Sequence, residues 1–348
     1  MGLKIAVVTP WGKLTRCGIR SYSEALTSAL AKQGVESYIV RLPRFGDKTP
    51  EIVRNVAESV PAGKVDLISV QHEYGLYMNL ESHFYTELRR HGLPIVTTLH
   101  AVGVIGSTDV YVTRNSSRVI VHNKHCARIL RREGYRNPFI IPHGCDFKPT
   151  IPREEARAKY SIPPQAKIVG YVGYLSEYKG LEILIEACSR IRDAYLLIGG
   201  GWHVTGPEPE NVTHLKMFAE QRMPSRYEFT GFVPDEDLPS VYGAMDCVGY
   251  CSHLATESGA LLMALSHGKA VVSSPLPPFK EKEAVGALVT YRNSLDLTAK
   301  LNRLLNDEVE RKRLEDGAKR YAEENSWDAV AKRHICFFEQ VLRQKKAR

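Results

Sequence analysis

The chain has 348 residues, of which 43% are hydrophobic and 25% are charged, a composition typical of soluble globular proteins. This length exceeds what one hydrophobic core usually serves, so we expect two domains. No apolar run approaches the ~20 residues that a membrane-spanning helix needs, and the first residues lead directly into a predicted strand rather than a signal peptide. The net charge is +8, and the whole excess lies in residues 1–150, because residues 151–348 carry equal numbers of basic and acidic side chains.

Part of this excess forms a basic run that favours an anionic partner. Between positions 114 and 136 the only acidic residue is Glu133, and the basic residues are Arg114, Arg118, Lys124, Arg128, Arg131, Arg132 and Arg136. Such a field attracts nucleic acid, an anionic membrane surface or a phosphorylated substrate. The alternative is the solvated helix face of a basic protein.

The seven cysteines are scattered and lack Cys-x-x-Cys spacing. Cys247 and Cys251 lie in an apolar, strand-like run, so we expect core residues rather than metal ligands. This usage is typical of a reduced compartment, and it predicts a cytoplasmic protein without a structural metal.

The first half alternates strands and helices. Apolar runs predict strands at 4–10, 36–40, 67–71, 95–99, 119–121 and 139–141, and apolar periodicity predicts helices at 19–32, 81–91 and 123–134. A polar loop, 11–18, joins the first strand to the first helix. Strand–helix alternation indicates a parallel sheet that is covered on both faces.

Three predicted strand ends in this half carry a histidine, namely His72, His100 and His143. In open α/β sheets, ligands bind outside the carboxyl ends of the strands. A lone histidine is more often structural, but three at equivalent positions favour a ligand site.

Residues 154–165 are predicted to be a linker, after which the strand–helix pattern begins again. Strands are predicted at 167–172, 195–198, 227–230, 247–251, 270–273 and 287–289, with helices at 180–191, 235–244 and 258–267. The last ~50 residues are predicted to be helical, and they include an amphipathic helix from Trp327. The second half therefore reads as a second doubly wound domain.

A loop with one cation, Lys179, joins the first strand and helix of the second half, and Gly180 opens that helix. Free backbone N–H groups and the positive end of a helix dipole attract anions there, and a lysine adds a point charge suited to phosphate. The spacing is not that of a Walker loop. A surface lysine before a helical glycine is the structural alternative.

Five motifs in chain order together resemble the family 4 retaining glycosyltransferases of GT-B architecture. They are Cys-Gly-Ile-Arg-Ser-Tyr at 17–22, Thr-Thr-Leu-His at 97–100, Ile-Pro-His-Gly-Cys-Asp at 141–146, Gly-Tyr-Leu-Ser-Glu-Tyr-Lys-Gly at 173–180, and Thr-Gly-Phe-Val-Pro at 230–234 with Leu238, Pro239 and Tyr242. The resemblance implies two Rossmann-like α/β domains that face a central cleft. The N-terminal acceptor domain would be 1–155 and the C-terminal donor domain 156–325, with a helix at 326–348 crossing back to the first domain.

The resemblance also implies roles for individual residues. The catalytic residues would be His100, beside the reacting carbon of the donor sugar, and Lys179. The donor diphosphate would contact Gly18, Lys179, Ser258 and Gly259. The nucleobase and ribose side would contain Gly173, Tyr174, Gly200, Phe232, Val233 and Glu257. The acceptor side would contain His72, Glu73, Tyr74 and Arg128.

Two departures from the family pattern are visible. Tyr174 stands where the family has an arginine, and the Glu-x7-Glu pair of the family falls on Ala255 and Met263. Residues 256–262, Thr-Glu-Ser-Gly-Ala-Leu-Leu, instead resemble a branch of the family that also carries Gln-His-Glu-Tyr-Gly, here 71–75. That branch keeps the helix N-terminus as an anion site and lacks the carboxylate.

The implied function is that of a retaining hexosyltransferase that uses a UDP- or GDP-linked sugar. Its acceptor would be a glycan, a lipid-linked molecule or a phosphorylated molecule, and neither a metal nor another cofactor is implied. Two alternatives stay open: a sugar-nucleotide epimerase of GT-B fold, and a non-catalytic nucleotide-sugar-binding protein. We expect no nucleic-acid partner. The basic first half and the tail 343–348 predict peripheral contact with an anionic membrane, which salt-sensitive sedimentation with anionic vesicles would test.

Overall fold

The computed structural model describes residues 2–11, 17–43, 48–202 and 208–346. The chain forms two compact units. The first contains residues 1–144 together with 325–348, and the second contains residues 145–324.

The first unit contains a six-stranded parallel sheet with strand order β2-β1-β3-β4-β5-β6. Its strands are β1 (Lys4–Pro10), β2 (Glu36–Leu42), β3 (Leu67–His72), β4 (Ile95–Leu99), β5 (Arg118–Val121) and β6 (Phe139–Ile140). The helices described before residue 144 are α1 (Gly18–Lys32), α2 (Pro50–Glu58), α3 (Tyr74–Tyr77), α4 (Glu81–Arg90), α5 (Gly106–Asn115) and α6 (Lys124–Arg132). Helices cover both faces of this sheet, which explains why β1, β3 and β4 are almost continuously buried.

The second unit repeats this plan with strand order β12-β11-β10-β7-β8-β9, again parallel throughout. Its strands are β7 (Lys167–Val172), β8 (Ala194–Gly199), β9 (Tyr227–Gly231), β10 (Cys247–Tyr250), β11 (Ala270–Ser273) and β12 (Val289–Thr290). Its described helices are α7 (Arg153–Lys159), α8 (Leu181–Ser189), α9 (Glu210–Arg222), α10 (Leu238–Ala244), α11 (Gly259–Ser266), α12 (Pro277–Glu283), α13 (Ser294–Asn306) and α14 (Glu308–Glu324). The two predicted doubly wound sheets are therefore confirmed, and Cys247 and Cys251 are buried core residues as predicted.

The final helix, α15 (Trp327–Lys346), belongs to the first unit. Its apolar residues Val330, Phe337 and Phe338 join one core cluster with residues of β1 and α1 such as Ile5 and Leu26. The segment at the end of the sequence thus completes one face of the first sheet.

The predicted linker at 154–165 is wrong for its first six residues, because 153–159 form helix α7, whereas 160–165 are irregular. Its charged sequence resembles a solvated connection, but the side chain of Arg157 is only 1% exposed and pairs with Asp246. The division between the units lies at 144/145, whereas the predicted boundary was 155/156. Residues before α7 already bond within the second unit, since the Lys148 N–H donates to the Ser266 carbonyl over 2.7 Å.

Sequence periodicity missed several helices that the structure contains, namely α2, α3, α5, α9 and α12. Among the described residues, no helix combines the length and the apolar character that a membrane crossing requires.

Candidate functional site

The loop after β7 and the start of α11 come together at the carboxyl ends of the strands in the second unit. Gly180 has a φ of +63°, and a Cβ on it would lie 2.4 Å from the carbonyl oxygen of Cys251, so only glycine fits this turn. A Cβ on Gly200 would lie 1.9 Å from the carbonyl oxygen of Gly173, which shows how closely the two strand ends approach. A Cβ on Gly173 would lie 3.1 Å from the Cβ of Ala260, in the first turn of α11.

Lys179 lies in this loop, in a single 3-10 turn, and its side chain is only 9% exposed. Its Nζ lies 4.6 Å from the centre of the Tyr178 ring. Within the described ranges, no carboxylate forms an ion pair with this ammonium group and no oxygen accepts a hydrogen bond from it. A nearly buried cation without an acidic partner is costly, so this position is suited to an anion that arrives from outside the chain.

The first turn of α11 offers backbone N–H groups to the same region. Ser258 caps the helix, since its Oγ accepts the N–H of Leu261 over 3.3 Å. Glu257 Oε1 accepts the N–H of Ser258 over 2.9 Å. In the part of the chain that the structure describes, no oxygen accepts a hydrogen bond from the N–H groups of Gly259 and Ala260. The space where a Gly259 side chain would lie is open. Helix starts of this kind bind phosphate groups.

Glu257, predicted to lie on the ribose side, forms a buried ion pair instead. Both of its carboxylate oxygens lie 2.9 Å from Lys282 Nζ. The Glu257 side chain is 7% exposed and the Lys282 side chain is 4% exposed. Burial lowers the pKa of Lys282, but the attraction of Glu257 outweighs it and the pKa lies above its usual value. Lys282 was not singled out in the sequence, because a lysine on a charged helix such as α12 gives no sign of burial.

The other residues predicted for the nucleobase side lie at the ends of β7, β8 and β9. Phe232 is 46% exposed, and its backbone nitrogen lies 3.5 Å from the position of a Cβ on Gly201. Val233 and Tyr174 are half-buried. The carbonyl oxygen of Tyr174 accepts a hydrogen bond from the Tyr171 hydroxyl over 2.9 Å. This bond holds the backbone of the loop against β7.

In the first unit, His100 is held by two neighbours. Its Nε2 lies 2.9 Å from Gln71 Oε1, and its Nδ1 lies 3.2 Å from Nε2 of His122. His122 Nδ1 lies 3.1 Å from the carbonyl oxygen of Ile141, and the Tyr22 ring packs edge-on against His100 with centroids 4.7 Å apart. Burial, followed by the charge of neighbouring histidines, holds the pKa of His100 well below its usual value, so it is neutral at pH 7.

The sequence prediction did not include His122 among the candidate site residues, although its position after a strand could have indicated it. It directly follows β5, just as His100 directly follows β4, so the two side chains leave the same edge of the sheet.

The hydrogen bonds of His122 predict a single tautomer of His100. The Ile141 carbonyl can only accept, so His122 Nδ1 carries a proton. If that is the only proton on the His122 ring, its Nε2 accepts the Nδ1–H of His100. The side chain of Gln71 must then turn its NH2 group towards His100 Nε2. In 1H–15N spectra of histidine-labelled protein at pH 7, we expect His100 as the Nδ1–H tautomer, and a mixture of tautomers in His122→Phe. His334, which is buried on α15, serves as the unchanged reference, and an unaltered His100 signal in the variant would contradict the assignment.

Two residues predicted for the acceptor side are buried inside the first unit. His72 is fully buried, with its Nε2 3.1 Å from Glu81 and its ring stacked on Tyr77. Tyr74 is 8% exposed, and its hydroxyl group donates a hydrogen bond to Asp109 Oδ1 over 2.5 Å. In this structure these two side chains hold β3, α3 and α5 together rather than presenting polar atoms to an acceptor.

The remaining predicted residues of the first unit are more open. Glu73 is half-buried at the start of α3, and Arg128 is exposed on α6. Gly18 begins α1, with open space where a side chain would lie. Residues 12–16 of the polar loop before Gly18 lie outside the described residues, as do 347–348 of the basic tail. The third histidine, His143, packs against the Tyr22 ring at 4.9 Å.

Among the described residues, no group of three or more His, Cys, Asp or Glu side chains is arranged to hold a metal ion. Metal independence stays a prediction.

The second unit matches the family model of glycosyl transferases group 1 over residues 152–321. The chain is 26% identical over 250 residues to a D-inositol 3-phosphate glycosyltransferase of Mycolicibacterium gilvum, with 63% of this chain and 56% of the relative covered. It is 28% identical over 253 residues to the enzyme of the same name from Corynebacterium urealyticum, with 67% of this chain and 57% of the relative covered. The chain thus spans little more than half the length of these curated relatives.

Solved structures resemble the whole chain in fold. Sucrose-phosphate synthase from Thermosynechococcus elongatus aligns with a TM-score of 0.80 and 19% identity, covering 98% of this chain and all of the other. Anabaena HepE in complex with UDP and glucose aligns with a TM-score of 0.78 and 17% identity, covering 97% of this chain and all of the other. The second unit is thus similar to group 1 glycosyl transferases, and the chain has the two-domain α/β GT-B fold.

Proposed function

We propose that the chain is a retaining hexosyltransferase that takes a hexose from a UDP- or GDP-linked donor and transfers it to a hydroxyl group of an acceptor. The observation that carries this proposal is that the loop holding the nearly buried Lys179, which has no acidic partner among the described residues, packs at Gly173 against the open first turn of α11. Both features attract an anion, and they lie in one region of the second unit. A nucleoside diphosphate has two adjacent phosphates that such a pair of features could bind together.

The same geometry supports catalysis as well as binding. When the bond between the sugar and the diphosphate breaks, negative charge develops on the leaving phosphate. Positive groups that are fixed before the reaction stabilise this charge without reorganising, which lowers the barrier. Lys179 and the N–H groups of Gly259 and Ala260 would do so in the proposed reaction. His100, neutral at pH 7, would lie beside the sugar as a polar group rather than as a competing cation.

The proposed acceptor is phosphorylated or otherwise anionic. Helix α6 of the first unit presents the exposed basic residues Lys124, Arg128, Arg131 and Arg132, and these would attract such a molecule. The name of the bacterial relatives includes an inositol phosphate, which agrees with an acceptor of this class. A glycan or lipid-linked acceptor, peripheral contact with an anionic membrane and a cytoplasmic location stay predictions. The absence of the usual arginine and Glu-x7-Glu pair leaves Tyr174, Ala255 and Met263 as the positions where donor contacts would differ.

A thermal-shift screen against UDP-, GDP- and ADP-hexoses tests the proposal first, because a donor should raise the melting temperature. The donor that binds is then incubated with the protein, and its slow hydrolysis is followed by NMR, in which retention yields the product with the donor's anomeric configuration. Epimerised nucleotide sugar without acceptor would favour the epimerase alternative. Binding without hydrolysis or transfer would favour a non-catalytic binding protein, and the absence of any binding would overturn the proposal.

A further inference from the structure

The buried ion pair between Glu257 and Lys282 lies directly at the start of α11. Lys282 Nζ is 2.9 Å from each carboxylate oxygen, and it also lies 3.4 Å from the carbonyl oxygen of Pro278. The ring of Tyr321 covers it at 5.8 Å. With its side chain 4% exposed, this lysine is enclosed by protein and is poorly placed to contact a ligand itself.

Glu257, unlike Lys282, lies close to where the proposed diphosphate would bind. Its Oε1 accepts the N–H of Ser258, the residue just before Gly259 and Ala260. A carboxylate therefore lies next to the two N–H groups that the proposed function gives to the phosphates. A carboxylate at a helix start is favourable for the helix, but it competes with any other anion for the same positive end. An uncompensated Glu257 would therefore repel the phosphates that the proposed function brings there.

We propose that Lys282 is a positioning residue of the donor site, which neutralises Glu257 and fixes its carboxylate on the Ser258 N–H. The pair then adds no net charge at the start of α11, and the next two N–H groups are left to the donor phosphates. This inference rests on the proposed function, and it assigns Glu257 to the support of the helix start rather than to the ribose.

Isothermal titration of UDP, with GDP as a second probe, into the unaltered protein and three variants tests the inference. In Lys282→Met the carboxylate loses the lysine that neutralises it, so we expect UDP affinity to fall about tenfold or more, because a negative charge at the start of α11 repels the phosphates. Glu257→Gln removes the repulsion, and its affinity should equal or exceed that of the unaltered protein. The double variant Glu257→Gln/Lys282→Met carries no charge at either position and should bind within about threefold of the unaltered protein.

Lys300→Met is the matched control, because it removes a lysine from an ion pair with Asp296 on α13 of the same unit. It should leave UDP affinity within about twofold. A double variant as weak as Lys282→Met would overturn the inference, because the lysine would then act on the ligand itself. If Lys282→Met does not fold, Glu257→Gln and the double variant decide the question alone. Failure of the unaltered protein to bind any nucleoside diphosphate would overturn the proposed function and this inference with it, whereas unchanged binding by Lys282→Met overturns the inference only.

Discussion

Lys179→Met is expected to weaken UDP binding by roughly 30-fold to several thousand-fold, because truncating one partner of a buried charge pair costs about 2–5 kcal/mol. Lys179 is 9% exposed and has no acidic partner among the described residues, so the phosphate would be its principal counter-charge. Without ligand, the same change should leave the melting temperature unchanged or raise it, since it removes an uncompensated buried charge. Titration calorimetry and a thermal melt measure the two effects on one preparation.

The opposite signs of these two effects separate a binding role from a structural one. Lys280→Met is the matched control, because Lys280 is exposed on α12 of the same unit. It should alter neither quantity appreciably. A Lys179→Met protein that binds UDP as tightly as the unaltered protein would remove the main support for the proposed function. A large loss of stability without ligand would instead show that the lysine holds its own loop together.

Arg157→Met is expected to destabilise the second unit by about 3–5 kcal/mol, the usual cost of breaking a buried ion pair from one side. Asp246 Oδ2 accepts from Arg157 Nη2 over 2.9 Å and from the N–H of Ile168 over 2.7 Å, and both partner side chains are nearly inaccessible to water. The variant leaves a buried carboxylate without its main counter-charge. For a unit of this size, the melting temperature should fall by roughly 6–20 °C.

Asp246 also has a second arginine partner, which provides the control. Arg153 contacts the other carboxylate oxygen at 2.6 Å, but its side chain is 47% exposed. Arg153→Met should therefore cost less than about 1 kcal/mol, since exposed ion pairs contribute little. The double variant Arg157→Met/Asp246→Asn should recover part of the stability lost in Arg157→Met. Equal melting temperatures for the two single arginine variants would contradict the assignment of burial as the cause.

Strands were far easier to predict from the sequence than the polar contacts were. Parallel strands buried on both faces form continuous apolar runs, and the bounds of β1, β4 and β7 agree with the prediction to the residue. Arg157 and Lys282 show the limit of this approach. Each is a charged residue in a charged helix, and only the distant partner, Asp246 or Glu257, explains its burial. Periodicity carries no information about such pairs.

The site itself was predictable where it depends on backbone. The lysine loop and the start of α11 follow from where strands end and helices begin, and the structure places them side by side in the second unit. Side-chain roles were harder, because they depend on rotamers and partners. His72 and Tyr74 follow a strand end as a ligand-binding residue would, yet the hydrogen-bond partners Glu81 and Asp109 hold them inside the fold.

The position of α15 has a consequence for how the protein emerges from the ribosome. The second unit is made from one continuous stretch, so its core is fully available once residue 324 has left the exit tunnel. The first unit begins earlier but lacks Phe337 and Phe338 until the last helix has been synthesised. Until then this face of the first sheet is covered by α1 but not by α15, while the second unit can already fold.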